Sequence, residues 1–305
     1  MFRRTHARRP RLTARRCAPA AALGAVAAAA ALLAAAPAGC RPRPPSPFGI
    51  SQLMVPEGGG PPIRVEFGPA DAGVVDKVLA ALREAYPVAT HWGPFRTEIR
   101  VRIYPSHEAL EAELGRRHLD WLRAWATYDA VLLQSPLTWG GADHEKRLDE
   151  LLKHELCHVA VYQLVATRES WEHVDLPLWF REGLASYTAK QEYRRGLPWE
   201  VGMKLLEEPM LDPLFAPEGL LLHNQNLVYA AAHWAFRELL DRHGEAGVRK
   251  ILAGIARGLD FPRAFSAVAG ETPRGFGERW RADVETLAKK EAAARKEAPA
   301  GTAGD

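Results

Sequence analysis

The sequence predicts an α+β fold in which an N-terminal α/β unit with a mixed sheet precedes a mainly helical part. Alternating polar and apolar residues, a pattern typical of strands, occur at 63–67 and 99–104, and residues 128–134 are predicted to form another strand. From residue 144 onward, apolar residues recur at helical spacing in almost every segment. The chain of 305 residues is long enough to bury a sizeable core.

The helices follow from local signals. Between the first two strands, we expect a helix from Asp71 to about Tyr86, because Pro87 would stop it. Ser106 is expected to cap a short helix that ends at Leu114. Further helices are predicted near residues 144–166, 177–193, 224–243, 245–257, 261–269 and 273–291.

Charge is distributed unevenly along the chain, which has 40 Lys and Arg against 37 Asp and Glu. Residues 1–43 contain nine arginines and no acidic residue, so the rest of the chain is net acidic. The basic balance belongs to the N-terminus alone. We therefore expect no nucleic acid among the partners of the folded part.

Residues 1–39 are typical of a bacterial export signal, with an arginine-rich start and an alanine-dominated run over 18–36. The alternative is a membrane anchor helix, which the weak hydrophobicity of alanine disfavours. Residues 36–38 (Ala-Pro-Ala) fit ordinary secretion, whereas residues 38–40 (Ala-Gly-Cys) resemble a lipobox that would place a lipid on Cys40. We expect a protein of the bacterial envelope, membrane-attached through Cys40 or free in the periplasm or medium.

The exported part divides by composition. Residues 40–62 are rich in Pro and Gly and predict an extended tether. A single domain is expected over 63–290, with an α/β subdomain at 63–135 and a helical subdomain at 136–290. Residues 291–305 predict a disordered tail. We expect the domain to be monomeric.

The segment His154-Glu155-Leu156-Cys157-His158 is the strongest functional signal. On a helix, the two histidines lie on one face, one turn apart, and can bind one zinc ion at about 2.0–2.1 Å. Glu155 is rotated away by one residue, which places its carboxylate beside the open position of the metal. The alternative is two ordinary surface histidines. Cys157 is expected to pack inward as a small apolar residue.

A catalytic zinc ion needs a third protein ligand, and residues 178–187 supply Glu182 on the next predicted helix. Together the two segments resemble the gluzincin metallopeptidases, whose third ligand is a Glu in a W-x-x-E-G-x-A-like segment. Trp179, Gly183 and Ala185 occupy the other places of that pattern. The small Gly183 and Ala185 would let helices approach closely around the metal.

The resemblance covers roughly residues 63–285 and is best to the compact peptidase-MA-like branch. It implies a zincin-like, small gluzincin fold, a bound Zn²⁺ and a peptide or protein substrate. It also implies hydrolysis through a zinc-bound water, with Glu155 as the general base. The chain lacks the G-x-M-E-N segment of the large gluzincin aminopeptidases, so we expect an endopeptidase. Ser186 stands where thermolysin-type enzymes carry an Asp, which leaves open which residue orients the histidines.

The resemblance further implies a donor that stabilises the oxyanion, often a Tyr or His from a later helix. Tyr229 is the candidate, with core packing as its alternative role. His233 and Tyr187 are weaker candidates. The strand 128–134 is either an edge on which substrate adds as a β-strand or an ordinary strand of the sheet.

Two other functions remain open at this point. One is a non-peptidase zinc hydrolase on the same scaffold. The other is a zinc-containing binding or assembly protein of the envelope. The presence of Glu155 argues against the second, because a structural zinc site needs no general base.

Overall fold

A mixed five-stranded sheet forms the N-terminal half of the computed structural model, which describes residues 48–140, 144–192 and 195–297. The strands are β1 (Ile50–Met54), β2 (Ile63–Phe67), β3 (Ile99–Tyr104), β4 (Ala124–Ala126) and β5 (Ala130–Gln134). They lie in the order β1-β2-β3-β5-β4. The inner strands β2, β3 and β5 are parallel, whereas β1 and β4 pair antiparallel at the two edges. This confirms the predicted mixed sheet.

Helices make up most of the remainder of the described residues, as predicted. They are α1 (Val75–Ala89), α2 (His107–Leu114), α3 (His144–Val165), α4 (Leu178–Thr188), α5 (Pro198–Glu207), α6 (Glu218–His223), α7 (Gln225–Ala256), α8 (Phe261–Ala269) and α9 (Pro273–Glu297). Gly244, with φ of 65°, breaks the helical geometry of α7 between the two helices that the sequence predicts there.

Helix α3 lies between two hydrophobic cores. Its buried residues Leu152, Leu156 and Val159 pack with α1 and the inner strands of the sheet. On another face, Cys157 and Val161 pack with α4, α7 and the later helices. Each side of α3 is thus held by a separate apolar cluster, which fixes the rotation of the helix about its axis.

Several predicted boundaries differ from the structure. Residues 50–54, assigned to the tether, form β1, which pairs with β2 but buries only Met54 and so shows no alternation. Helix α1 continues past Pro87, because a proline in the last turn removes one donor without blocking the helical backbone. The C-terminal helix extends through residues 291–297, where a disordered tail was expected.

Some expectations lie outside the described residues. They are the export signal at 1–39, the lipid on Cys40, and residues 298–305 of the tail. In the part of the chain that the structure describes, no helix is both long and apolar enough to cross a membrane.

Candidate active site

Helix α3 places His154 and His158 one turn apart on the same face. The Nε2 atoms of the two rings are 3.1 Å apart, and both side chains are buried. The ring of His158 stacks on Tyr162, with centroids 6.1 Å apart. Because two cores fix the helix, the pair of imidazoles is held in place before any ligand binds.

Glu182, from α4, completes a set of three donor groups with the histidines. Its Oε2 atom lies 3.3 Å from His154 Nε2 and 3.6 Å from His158 Nε2. Donors bound tetrahedrally to zinc at 2.0–2.1 Å are separated by about 3.3 Å. The observed separations are close to that value, so the three residues fit a zinc ion. Among the described residues, they are the one His, Cys, Asp and Glu group whose ligand atoms converge in this way.

Gln191 orients the first of these histidines. Its Oε1 atom lies 3.1 Å from His154 Nδ1 and accepts a hydrogen bond of 3.1 Å from Arg195 Nη2. Its Nε2 atom donates to the Glu150 carbonyl at 3.5 Å. A guanidinium only donates, so the amide atom between Arg195 and His154 is the oxygen, and His154 Nδ1 carries the proton. The Nε2 lone pair then faces the metal position.

Gln191 and Arg195 are not among the site residues predicted from the sequence. The predicted helix 177–193 would have included Gln191, whereas α4 ends at Thr188 and Gln191 lies in the turn that follows. That turn brings the amide back onto α3. A polar residue in an irregular segment carries no periodic signal, so this role was not visible in the sequence.

Glu155 lies beside the three donors and is buried. Burial raises the pKa of its carboxyl to about 7. The charge of Glu182 acts in the same direction, while His154 and the backbone N–H of Ala126, which donates to the carboxylate, oppose it. A carboxyl with a pKa near neutrality can both accept and release a proton at pH 7.

Glu182 is ionised in this arrangement. Burial alone would raise its pKa, but the contacts of the carboxylate with His158 and His154, and the charge of Arg181, hold the pKa well below its usual range. On the other side of the carboxylate, Arg181 Nε lies 3.4 Å from Oε1. An ionised carboxylate is the form that binds a metal cation.

A cavity of about 250 Å³ opens above these residues, and Tyr229 of α7 lines it. The Tyr229 ring lies 6.0 Å from that of Trp121, and the Arg195 guanidinium lies 5.3 Å from its centre. Burial raises the pKa of Tyr229 well above its usual value, so the phenol stays protonated and can donate a hydrogen bond.

The edge strand of the cavity is β4, not the strand predicted at 128–134. That segment contains β5, which is buried along its whole length between β3 and β4. Gln134 N–H donates to the Arg123 carbonyl at 2.8 Å, and Thr127 N–H donates to the Ala130 carbonyl at 2.7 Å. Since ladder bonds alternate along an antiparallel pair, residues 124 and 126 direct their N–H and C=O groups away from β5. The bond from Ala126 N–H to Glu155 agrees with this direction.

The weaker candidates lie elsewhere, since none of them lines this cavity. Tyr187 packs on Phe236, with ring centroids 6.0 Å apart. His233 is buried, and its Nδ1 lies 3.0 Å from Ser186 Oγ. Gly183 packs against the Ala232 carbonyl of α7, so the close approach that it permits is between α4 and α7 and not with the zinc-binding helix.

Comparison with known proteins gives fold neighbours of low sequence identity. No protein-family model and no curated protein matches the chain. A mutant of an M1 zinc metallopeptidase from Deinococcus radiodurans superposes with a TM-score of 0.46 and 16% identity, over 75% of this chain and 51% of that one. Legionella pneumophila aminopeptidase A in complex with aspartic acid gives 0.48 and 18%, over 76% of this chain and 27% of that one. The chain spans about half of the first neighbour and about a quarter of the second, so we infer its function from its own site.

Proposed function

We propose that this chain is a zinc metallopeptidase of the gluzincin type that hydrolyses internal peptide bonds. The observation that carries the proposal is the convergence of His154 Nε2, His158 Nε2 and Glu182 Oε2 at tetrahedral spacing, with Glu155 beside them. Three protein ligands with an open fourth position are typical of catalytic zinc, whereas structural zinc has four.

The chain would hold Zn²⁺ through His154, His158 and Glu182. When bound, zinc polarises the scissile carbonyl and lowers the pKa of a water molecule. Glu155 accepts the proton of the attacking water and returns it to the leaving amine, for which a pKa near 7 is suited. Tyr229, protonated and facing the same cavity, donates a hydrogen bond to the oxyanion.

A peptide substrate is supported by the position of β4, which forms one edge of the sheet in the part of the chain that the structure describes. Ala124 directs its N–H and C=O away from β5. An extended peptide can therefore add to this edge by main-chain hydrogen bonds, which recognise any sequence. The same edge runs past Glu155, so the added strand would present a peptide bond to the general base.

Cleavage profiling of a peptide library with the wild-type protein beside Glu155→Gln tests this function. New termini within peptides, absent with the variant, are expected from an endopeptidase. Removal of residues from one end of the peptides would show that the protein is an exopeptidase and not an endopeptidase. Turnover of esters or non-peptide amides without peptide cleavage would contradict the proposal and indicate another zinc hydrolase.

Export of the protein is part of the proposal and rests on the arginine-rich, alanine-dominated N-terminus. Cell fractionation of a bacterial host, with the intact mass of the recovered chain, tests it. A lipidated Cys40 gives a membrane-bound product that Cys40→Ser releases. A full-length chain recovered from the cytoplasm would contradict export.

A further inference from the structure

The cavity beside the candidate zinc site is rich in positive charge. Four arginines line it: Arg123, Arg147, Arg181 and Arg195. Among the described lining residues, carboxylates come from Glu155 and Glu182 alone, and both belong to the zinc site. A substrate entering this cavity therefore meets an excess of guanidinium groups.

Two of the four arginines are engaged by the site itself. Arg181 Nε lies 3.4 Å from Glu182 Oε1. Arg195 donates to Gln191 Oε1 and, at 3.2 Å, to Ser186 Oγ. These contacts explain the presence of Arg181 and Arg195 without a substrate.

Among the described residues, Arg123 and Arg147 make no ion pair and no hydrogen bond to another side chain. Arg123 Nη1 donates to the carbonyls of Asp120 and Leu122 at 2.7 Å and 3.1 Å, while its buried Nε makes no hydrogen bond. Arg147 Nη1 donates to the Gly140 carbonyl at 3.2 Å. Both guanidinium groups thus keep donors that an anion can use.

The two groups also act on each other. Burial, and next the positive charge of Arg147, lowers the pKa of the Arg123 guanidinium, and the charge of Asp120 opposes this in part. Two neighbouring like charges are unfavourable unless an anion binds between them. The planar fork of a guanidinium matches a carboxylate through two parallel hydrogen bonds.

We propose that Arg123 and Arg147 bind a carboxylate of the substrate and so select peptides that carry one near the cleaved bond. Arg123 directly precedes β4, along whose outer edge the substrate is proposed to lie. This inference rests on the proposed peptidase function, because it takes the bound molecule to be a peptide substrate. The carboxylate has two possible sources, an Asp or Glu side chain and the free C-terminus of the peptide.

Two matched peptide pairs distinguish the sources in an assay with the zinc-loaded full chain. One pair differs in a C-terminal acid or amide, and the other in Glu or Gln within two residues of the cleaved bond. We expect the carboxylate member of one pair to have a kcat/KM about 10- to 100-fold higher. Arg123→Gln and Arg147→Gln should each remove this preference, whereas Arg257→Gln, an exposed arginine outside the cavity, should keep it.

Binding of the same peptides to Glu155→Gln separates this inference from the proposed function. If the wild-type protein cleaves no peptide but binding to Glu155→Gln still favours the carboxylate and depends on both arginines, the peptidase assignment fails and the anion site stands. If the Gln variants fold poorly, Arg123→Lys and Arg147→Lys provide the test. A lysine keeps the positive charge but lacks the planar fork of the guanidinium, so these variants should retain only part of the preference. Equal binding of both members of both pairs, or a full preference that survives in Arg123→Gln and Arg147→Gln, would overturn the proposal.

Discussion

His154 Nδ1 donates its proton to Gln191 Oε1 over 3.1 Å, and Arg195 holds that oxygen from the other side. This contact links the zinc-binding helix to the turn after α4. It selects the ring tautomer whose Nε2 lone pair faces Glu182 and the metal position. The ligand geometry therefore depends on a residue that does not touch the metal.

Gln191→Leu is expected to weaken zinc binding by about 10- to 100-fold, because the His154 ring loses the acceptor that sets its tautomer and orientation. Titration with a competing chelator measures the zinc Kd. Gln191→Glu keeps an acceptor facing both His154 and Arg195, so its zinc Kd should stay close to wild type. A Leu variant that binds zinc as tightly as the Glu variant would contradict this role.

Gly183→Ala should lower the free energy of unfolding by about 1–3 kcal/mol. A Cβ at Gly183 would meet the Ala232 carbonyl and Phe236 Cβ, so α4 would have to move away from α7 and carry Glu182 with it. Urea denaturation measures the change. Gly219→Ala on α6 is the matched control, since a Cβ there meets no atom within 4 Å. Similar destabilisation in both variants would show that the helix contact does not matter.

Tyr229→Phe is expected to lower kcat by about 10²- to 10³-fold, because the phenol O–H is the proposed oxyanion donor, and to leave zinc content unchanged. Steady-state kinetics at saturating peptide provide the measurement. Tyr187→Phe serves as the control, since Tyr187 is also half-buried but does not line the cavity. An unchanged kcat in Tyr229→Phe would assign Tyr229 to packing alone.

His233 should make the fold less stable as the pH falls. Burial, and then the charge of Arg195, lowers the pKa of this histidine from 6.5 to about 4. Between those values the unfolded chain binds a proton that the folded chain does not. The free energy of unfolding therefore decreases as pH falls from about 6.5 to 4, by up to about 3 kcal/mol.

Denaturation at several pH values tests this dependence by comparison of the wild type with His233→Asn. The Asn variant keeps a polar partner for Ser186 but does not titrate, so its stability should fall less over the same range. Parallel stability curves for the two proteins would contradict the assignment to His233.

Parts of the fold and site were predictable from the sequence because their signals are local. The strands β2 and β3 alternate between buried and half-buried residues, and the ligands of α3 are spaced by one helical turn. The three-residue strand β4 and the exposed strand β1 are too short or too exposed to show a period. Gln191 lies in an irregular turn, so only the fold shows that it reaches His154.

In the proposed mechanism, Glu155 moves protons at a zinc ion held by His154, His158 and Glu182. The most direct test measures zinc content and peptide hydrolysis in Glu155→Gln beside the wild type. Both proteins should bind about one equivalent of zinc, and the variant should lose about 10²- to 10⁴-fold in kcat. A variant that hydrolyses peptides at the wild-type rate, or one that loses zinc together with activity, would contradict this mechanism.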